Sequence, residues 1–240
     1  MISFETRARG GGIWAPGGLS IVAHDIFLAT GNTFGAGNWS DAPVDWKILD
    51  AHDEDLGGSN PLPLNVPGPG GDQRLILALG KDRKAYLLER DDLGGIGGQL
   101  AGATVSDIRI MTSPAAYPVG NDIFVAFQAP GTQCPGPGKG NGLTVLKISG
   151  GSPPKMNTAW CGGLSGRGSA IATTTDGHSN PIVWILGAEG DNRLHGFRGD
   201  TGEPIVTSEP LSGLRHFQTL IATQDRLYVG ADGRVYAFSF

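Results

Sequence analysis

The sequence has few cysteines, no long apolar run and no basic cluster, and each shortage excludes a class of protein. Two cysteines in 240 residues make neither a disulfide-rich framework nor a zinc site. No apolar run approaches the ~20 residues of a membrane-spanning helix, and the N-terminus lacks the apolar core of a secretion signal. With a net charge of −5 and no lysine/arginine cluster, we expect a soluble protein that binds neither nucleic acid nor membrane.

Glycine and proline, in contrast, are abundant. The chain contains 40 glycines and 16 prolines, which indicates many turns. The glycines have no collagen-like period, and 39% of the residues are hydrophobic, so the chain can form a core. The composition is therefore typical of a folded domain with many short, turn-connected elements.

A unit of β-rich runs recurs five times. In each copy an apolar run, such as 182-IVWILGA-188, follows a strand of small and β-branched residues and precedes a second β-rich run. The copies lie about 45 to 60 residues apart, close to the ~40–50 residues of a four-stranded propeller blade. The strands of small and β-branched residues are 19–23, 62–66, 114–118, 169–173 and 219–223. The apolar runs are 26–32, 75–81, 123–129, 182–188 and 227–233. The second β-rich runs are 44–50, 84–90, 143–149, 193–199 and 234–240.

A fourth, outer strand should complete each blade. Candidates are 99–105, 156–162 and 204–210, with a poorly defined one within 50–57. The last unit has no fourth strand, whereas an unassigned β-like run occupies residues 2–8. We therefore predict a single all-β domain over residues 1–240, a β-propeller of about five blades in which strand 2–8 closes the last blade. The alternative is an open fragment of a larger propeller; a closed ring predicts a monomer and an open one a homo-oligomer.

Blade four carries residues that resemble a known family. In 196-GFRGDTGEPIV-206, Thr201 and Gly202 keep the register of the blade signature of quinoprotein-like propellers, the family of pyrroloquinoline-quinone (PQQ) dehydrogenases and their non-enzymatic relatives. The runs 75–95 and 227–240 resemble further such blades. The resemblance implies a propeller over essentially the whole chain, and relatives of this kind are often exported.

The same comparison shows departures that concern the cofactor. Gly196 and Arg198 stand where the signature has Ala and Asp. PQQ enzymes of this family have eight blades and usually a vicinal cysteine pair, whereas Cys134 and Cys161 are far apart. The chain resembles the C-terminal portion of a longer relative, and we assign no PQQ-binding residues to it.

The repeat also predicts where a site would form. In a propeller, the segments entering the innermost strands and the loops between the second and third strands share one face, around the mouth of the axial channel. We predict a small-molecule site there. Its candidate residues are His216, Arg167 and Asp107 for catalysis; Trp14, Arg109 and Arg215 for substrate binding; and His52, His216 and Asp55 for a divalent metal.

Three functions fit this prediction. Histidine and carboxylates suit a metal-assisted hydrolase of ester, phosphoester or lactone bonds, and polar groups at a channel mouth favour this enzyme. A non-catalytic binding or scaffold propeller is the alternative, and a remnant of a PQQ-dependent dehydrogenase is the third. A purely structural role is the alternative for several of these candidates. Residues 52–55 would then form a solvated loop, Arg109 and Arg167 would bind loop carbonyls, and Trp14 would serve in packing.

The two cysteines fall within one predicted blade. Cys134 lies in the long loop between its second and third strands, and Cys161 lies at the end of its fourth strand. Both points reach the same face, so a disulfide is sterically possible if the Cα atoms lie within roughly 4.4–6.8 Å. A reducing compartment would instead keep two free thiols.

Overall fold

The computed structural model describes residues 11–32, 46–136 and 141–239, and these residues are almost entirely β. Within them, seventeen strands form five antiparallel sheets, each built from strands that are consecutive in sequence. We number the sheets as blades 1 to 5. Blade 1 contains β1 (Ser20–Val22) and β2 (Asp25–Phe27), and blade 2 contains β3 (Leu62–Val66), β4 (Gln73–Leu79), β5 (Lys84–Glu89) and β6 (Ala101–Thr104). Blade 3 contains β7 (Ala115–Val119), β8 (Asp122–Gln128), β9 (Gly142–Ser149) and β10 (Lys155–Gly163), and blade 4 contains β11 (Ile171–Thr173), β12 (Ile182–Leu186), β13 (Leu194–Arg198) and β14 (Pro204–Thr207). Blade 5 contains β15 (Ile221–Ala222), β16 (Arg226–Ala231) and β17 (Arg234–Ser239).

Hydrophobic cores lie between consecutive blades, and their order defines the propeller. Within the described residues, four cores separate blades 1 and 2, 2 and 3, 3 and 4, and 4 and 5. Along β4, Leu75 and Leu77 face blade 3 while Ile76 and Ala78 face blade 1. Because the second strands of blades 2, 3 and 4 are buried on both faces, their central residues are apolar. The sheet order and these cores confirm the predicted all-β propeller.

One glycine of blade 4 shows how adjacent blades dock. Gly202 has a φ of 77°, and a Cβ there would lie 2.6 Å from the indole of Trp160 in blade 3. The Trp160 Nε1 atom donates a hydrogen bond of 2.8 Å to the Gly199 carbonyl. Any larger side chain at position 202 would therefore push the indole away from the carbonyl that it binds.

The first unit departs from the prediction. Residues 44–50 were expected to form a strand, which is wrong: helix α1 occupies Trp46–His52. Leu49 is buried whereas its neighbour Ile48 is 57% exposed, and the helix ends before Asp53, which has a φ of 54°. The outer strand expected within 50–57 is also wrong, since a 3-10 helix follows at Leu56–Gly58. Within the described residues, blade 1 is therefore a two-stranded hairpin packed against a short helix.

The ends of the blade series carry exposed apolar side chains. Ile21 and Ile26 form a cross-strand pair on blade 1, and Ile221 and Val235 lie on the outward face of blade 5. The strand predicted at 2–8, which would close the ring, lies outside the described residues. The choice between a monomer and a homo-oligomer therefore stays a prediction. In the part of the chain that the structure describes, no helix is long and apolar enough to cross a membrane.

The two cysteines form a disulfide, as the sequence allowed. Cys134 lies in the loop between β8 and β9, Cys161 lies on β10, and their Cα atoms are 5.7 Å apart. A Cβ built on Gly131 would lie 2.8 Å from the Cys134 sulfur and 3.0 Å from the Cys161 sulfur. The loop therefore folds directly over the disulfide, and only glycine leaves room for this approach.

Candidate functional site

Two adjoining cavities open where the segments that precede the inner strands meet. The first is a shallow, open cavity of about 480 Å³, and it is lined by Trp14, Arg215, His216, Phe217, Gly230 and Asp232 among others. The second, of about 260 Å³, is lined by Ile108, Arg109, Met111, Thr112, Gln128, Arg167 and Phe217. Since Phe217 lines both, we call the two cavities together the channel mouth.

Phe217 lines both cavities and is held in an unusual backbone conformation. Its φ of 65° lies in the left-handed region, which costs a bulky residue on the order of 1–3 kcal/mol. Its amide donates a 2.6 Å hydrogen bond to the Arg167 carbonyl, and its carbonyl accepts one of 3.1 Å from the buried Ser169 hydroxyl. The His216 ring packs edge-on against it, with centroids 4.5 Å apart. Hydrogen bonds to the segment that enters blade 4 therefore fix the backbone of Phe217, and the His216 ring contacts its side chain.

Two side-chain pairs lie at the first cavity. Arg215 forms an ion pair with Asp232, and both side chains are largely exposed. The His216 Nδ1 atom lies 2.7 Å from a carboxylate oxygen of Glu189, a residue with a φ of 58°. The hydrogen bond with His216 lowers the pKa of the Glu189 carboxyl. The carboxylate therefore orients the imidazole and leaves its Nε2 atom free of this contact.

The second cavity carries polar groups with unused hydrogen-bonding capacity. Within the described ranges, the Arg167 guanidinium forms no ion pair and no hydrogen bond, and neither does the amide of Gln128, a residue that is 6% exposed. The Thr112 hydroxyl is buried and also lacks a partner. Arg109 differs from these residues, since its guanidinium donates to the Asp53 carboxylate at 3.0 Å and to the His52 carbonyl at 3.1 Å.

The loop of residues 52–55, which we call the acidic loop, contacts Arg109 from outside the cavity. Lys81 Nζ lies 2.9 Å from the Asp53 carboxylate and 2.8 Å from that of Asp55, whose other oxygen accepts from the Gly57 amide. The hydrogen bond from Lys81 lowers the pKa of Asp53, with further contributions from its charge and from Arg109. Burial opposes the charged form of Lys81, but the two carboxylates outweigh it and raise the pKa of the ammonium.

The structure assembles part of the predicted site. The three substrate-binding candidates lie at the channel mouth, Trp14 and Arg215 in the first cavity and Arg109 in the second. The catalytic candidates are split, because His216 lines the first cavity and Arg167 the second. Asp107 lines neither cavity, and its amide bonds to the Pro130 carbonyl in the neighbouring loop. The fold therefore gathers these residues at one face without forming the predicted catalytic group.

The predicted metal ligands are not brought together. His52 Nδ1 bonds to the Ile48 carbonyl, the Asp55 carboxylate is occupied by Lys81 and Gly57, and His216 pairs with Glu189. Among the residues that the structure describes, no group of three or more histidine, cysteine, aspartate or glutamate side chains could hold a metal ion. The reason is local: the Lys81 ammonium already occupies the cation position between the two carboxylates.

Several site residues were missed by the sequence analysis. Gln128 carries the clearest signal, since it ends an apolar strand at the place where the runs 75–81 and 182–188 have Gly80 and Gly187. Phe217 and Glu189 carry no such signal, because their positive φ angles depend on contacts between blades. A polar amide at a position where related units have glycine is thus the one feature that pattern analysis could have found.

No protein-family model matches the chain, and no curated protein matches it in sequence. Similar solved structures include BamB from Moraxella catarrhalis, with 15% identity, a TM-score of 0.47, and coverage of 92% of this chain and 57% of that one. The quinohemoprotein alcohol dehydrogenase from Comamonas testosteroni has 13% identity, a TM-score of 0.43, and coverage of 85% and 42%. The Cps50 (Swd1) β-propeller domain from Myceliophteria thermophila has 9% identity, a TM-score of 0.46, and coverage of 92% and 63%.

This chain spans only part of the length of those three proteins, from 42% to 63%. The propeller assignment rests on the sheet order and the cores between the blades described above.

Proposed function

We propose that this protein is a non-catalytic binding propeller that takes a small organic molecule at the channel mouth. The observation that carries the proposal is Phe217, which lines both adjoining cavities and whose backbone is held by hydrogen bonds to Arg167 and Ser169. Preformed concave sites that combine apolar walls with a few polar groups are typical of small-molecule binding.

The PQQ-dehydrogenase hypothesis finds no matching residues at this site. The cysteines that would have to form the vicinal pair are instead bonded to each other across a separation of 27 residues. Neither cysteine lines either cavity. We therefore assign no step to a quinone, and we expect titration with PQQ and calcium to leave the protein absorbance unchanged.

A substitution that fills the first cavity tests the binding proposal. A Cβ at Gly230 would approach only one atom, Gln218 Nε2 at 3.9 Å, so Gly230→Phe can place a ring in the cavity without a backbone clash. Gly70→Phe is the matched control, because Gly70 has nothing within 4 Å of its Cβ position and lines neither cavity.

We expect neutral aromatic fragments, detected by saturation-transfer NMR, to bind wild type and Gly70→Phe about equally. Their affinity should fall by about tenfold or more in Gly230→Phe, since a blocked apolar contact is worth about 1.4 kcal/mol or more. The proposal fails if no fragment binds wild type, or if Gly230→Phe binds as well as the control.

Hydrolysis is the second candidate, favoured by the His216–Glu189 pair. An imidazole oriented by a carboxylate can act as a general base toward water, an effect worth about 10²–10⁴ in rate. The binding proposal predicts equal rates of p-nitrophenyl acetate hydrolysis for wild type, His216→Ala and His178→Ala, the last an exposed histidine in a turn of blade 4. A loss of about 100-fold in His216→Ala alone would establish hydrolysis instead, and a further loss on chelation would add a metal to it.

A further inference from the structure

We propose that the second cavity binds the oxyanion end of its ligand, a carboxylate or phosphate group, with Arg167 as the main anchor. This inference rests on the proposed function and names the chemical class of ligand that this part of the channel mouth takes. It depends on three features of the cavity: its charge, its unpartnered polar groups and its rigid frame.

The charge of the cavity is positive and only partly compensated. Arg109 and Arg167 both line it, and no carboxylate does among the described residues. Asp53 pairs with Arg109 from outside, whereas Arg167 makes no ion pair within the described part of the chain. A guanidinium presents five donors in a planar fork that matches the two oxygens of a carboxylate or phosphate. One uncompensated arginine therefore makes the cavity selective for an anion.

Two further polar side chains of this cavity make no hydrogen bond within the described residues. The Gln128 amide and the Thr112 hydroxyl belong to residues that are 6% and 1% exposed, and neither makes a hydrogen bond in the described structure. Leaving the fully buried Thr112 hydroxyl unpaired destabilises the free protein. An oxyanion accepts hydrogen bonds from all three donor types, so a single bound group of this kind can satisfy Arg167 together with these neighbours.

The frame around Arg167 is fixed before any ligand arrives. Its amide donates to the Ala188 carbonyl at 2.9 Å, and its carbonyl accepts from Phe217 at 2.6 Å. Gln128 ends strand β8. Ile108, Met111 and Phe217 supply the apolar part of the lining. At about 260 Å³ the cavity is close to the lower end of the usual range for ligand sites, roughly 300 Å³, which favours a small aromatic acid over a larger metabolite.

Calorimetric titration with three probes of similar shape tests the inference. Benzoate and phenyl phosphate carry the two oxyanions, and benzamide is the neutral analogue of benzoate. We expect at least one anion to bind wild type about tenfold or more tightly than benzamide, with the preference weakening at high salt. The stronger of the two anions then identifies carboxylate or phosphate as the natural group.

Arg167→Gln should abolish the preference for the anion. The matched control is Arg226→Gln. Arg226 is also an exposed arginine, but it begins strand β16, whereas Gly230, which lines the first cavity, lies near the other end of that strand. The control should keep the full preference. Equal binding of all three probes to wild type, or an unchanged preference in Arg167→Gln, overturns the oxyanion inference and leaves the binding proposal standing. If neither these probes nor the neutral fragments bind wild type, both proposals fail.

Thr112→Val separates a ligand-binding role from a structural one. Valine has nearly the shape of threonine without the unpaired hydroxyl, so the free protein should unfold at a higher urea concentration. The same variant should bind the preferred anion about threefold or more weakly, because one donor is lost. A variant that is less stable, or that binds the anion as tightly as wild type, removes Thr112 from the proposed site.

Discussion

Replacing Cys134 and Cys161 together by serine is expected to lower the free energy of unfolding by about 3.5 kcal/mol. The disulfide closes a loop with a sequence separation of 27, and the chain-entropy model gives about this value for a loop of that size. Urea denaturation of the double variant and of wild type measures the difference. Wild type treated with reductant should show the same loss, and reductant should not destabilise the double variant further.

The loop that the disulfide holds is also tied by backbone hydrogen bonds. The Thr132 amide donates to the Val105 carbonyl at 3.4 Å, and the Asp107 amide donates to the Pro130 carbonyl at 3.1 Å. These bonds join the loop to the segment that leads into the second cavity. A loss below about 1 kcal/mol would mean that they restrain the chain without the disulfide, and that the unfolded state gains little freedom when it is removed.

The regular part of the fold could be predicted from the sequence because the middle blades share one constraint, a second strand that must pack against a hydrophobic core on each face. The run 182–188 must be apolar on both faces, since β12 lies between two cores. Helix α1 was misread because 44-VDWKILD-50 also fits an alternating strand pattern, and only the burial of Leu49 beside exposed Ile48 distinguishes the two. A short segment packed on one blade face does not have to repeat the pattern of the other units.

The sequence predicts where the site lies, but it does not predict which charged side chains form ion pairs with each other. The repeat placed Trp14, Arg109, Arg167 and His216 at one face, because equivalent segments of a propeller converge there. Which charges neutralise each other depends on distances of a few ångströms between loops of different blades. Lys81 follows the second strand of blade 2, and no sequence pattern indicates that its ammonium enters the acidic loop that was expected to bind a metal.

Replacing that lysine gives the second large expected effect. Lys81→Met keeps most of the side-chain volume and removes the charge, which leaves the Asp55 carboxylate, only 5% exposed, without its cation. Removing one partner of a buried pair costs about 3–5 kcal/mol, and we expect about 3 kcal/mol because Asp53 stays half exposed and adds little. Lys84→Met, on the adjacent exposed strand end, should change stability by less than about 0.5 kcal/mol.

The pH dependence of this loss tests its electrostatic origin. The pKa of Asp53 is lowered in the folded protein, so its contribution is present above the unfolded value of about 3.8 and is lost as the pH falls through the lower, folded value. The pKa of Lys81 is raised, so its contribution is complete below about 10.5 and is lost as the pH rises through the higher, folded value. The stability difference between wild type and Lys81→Met should therefore be largest between these limits, shrink slightly on the acid side, where only Asp53 contributes, and shrink more as the pH rises through the folded pKa of Lys81. A difference that does not change with pH would mean that Lys81 acts through packing of its aliphatic stem, and the acidic loop would then hold Arg109 without help from the ammonium.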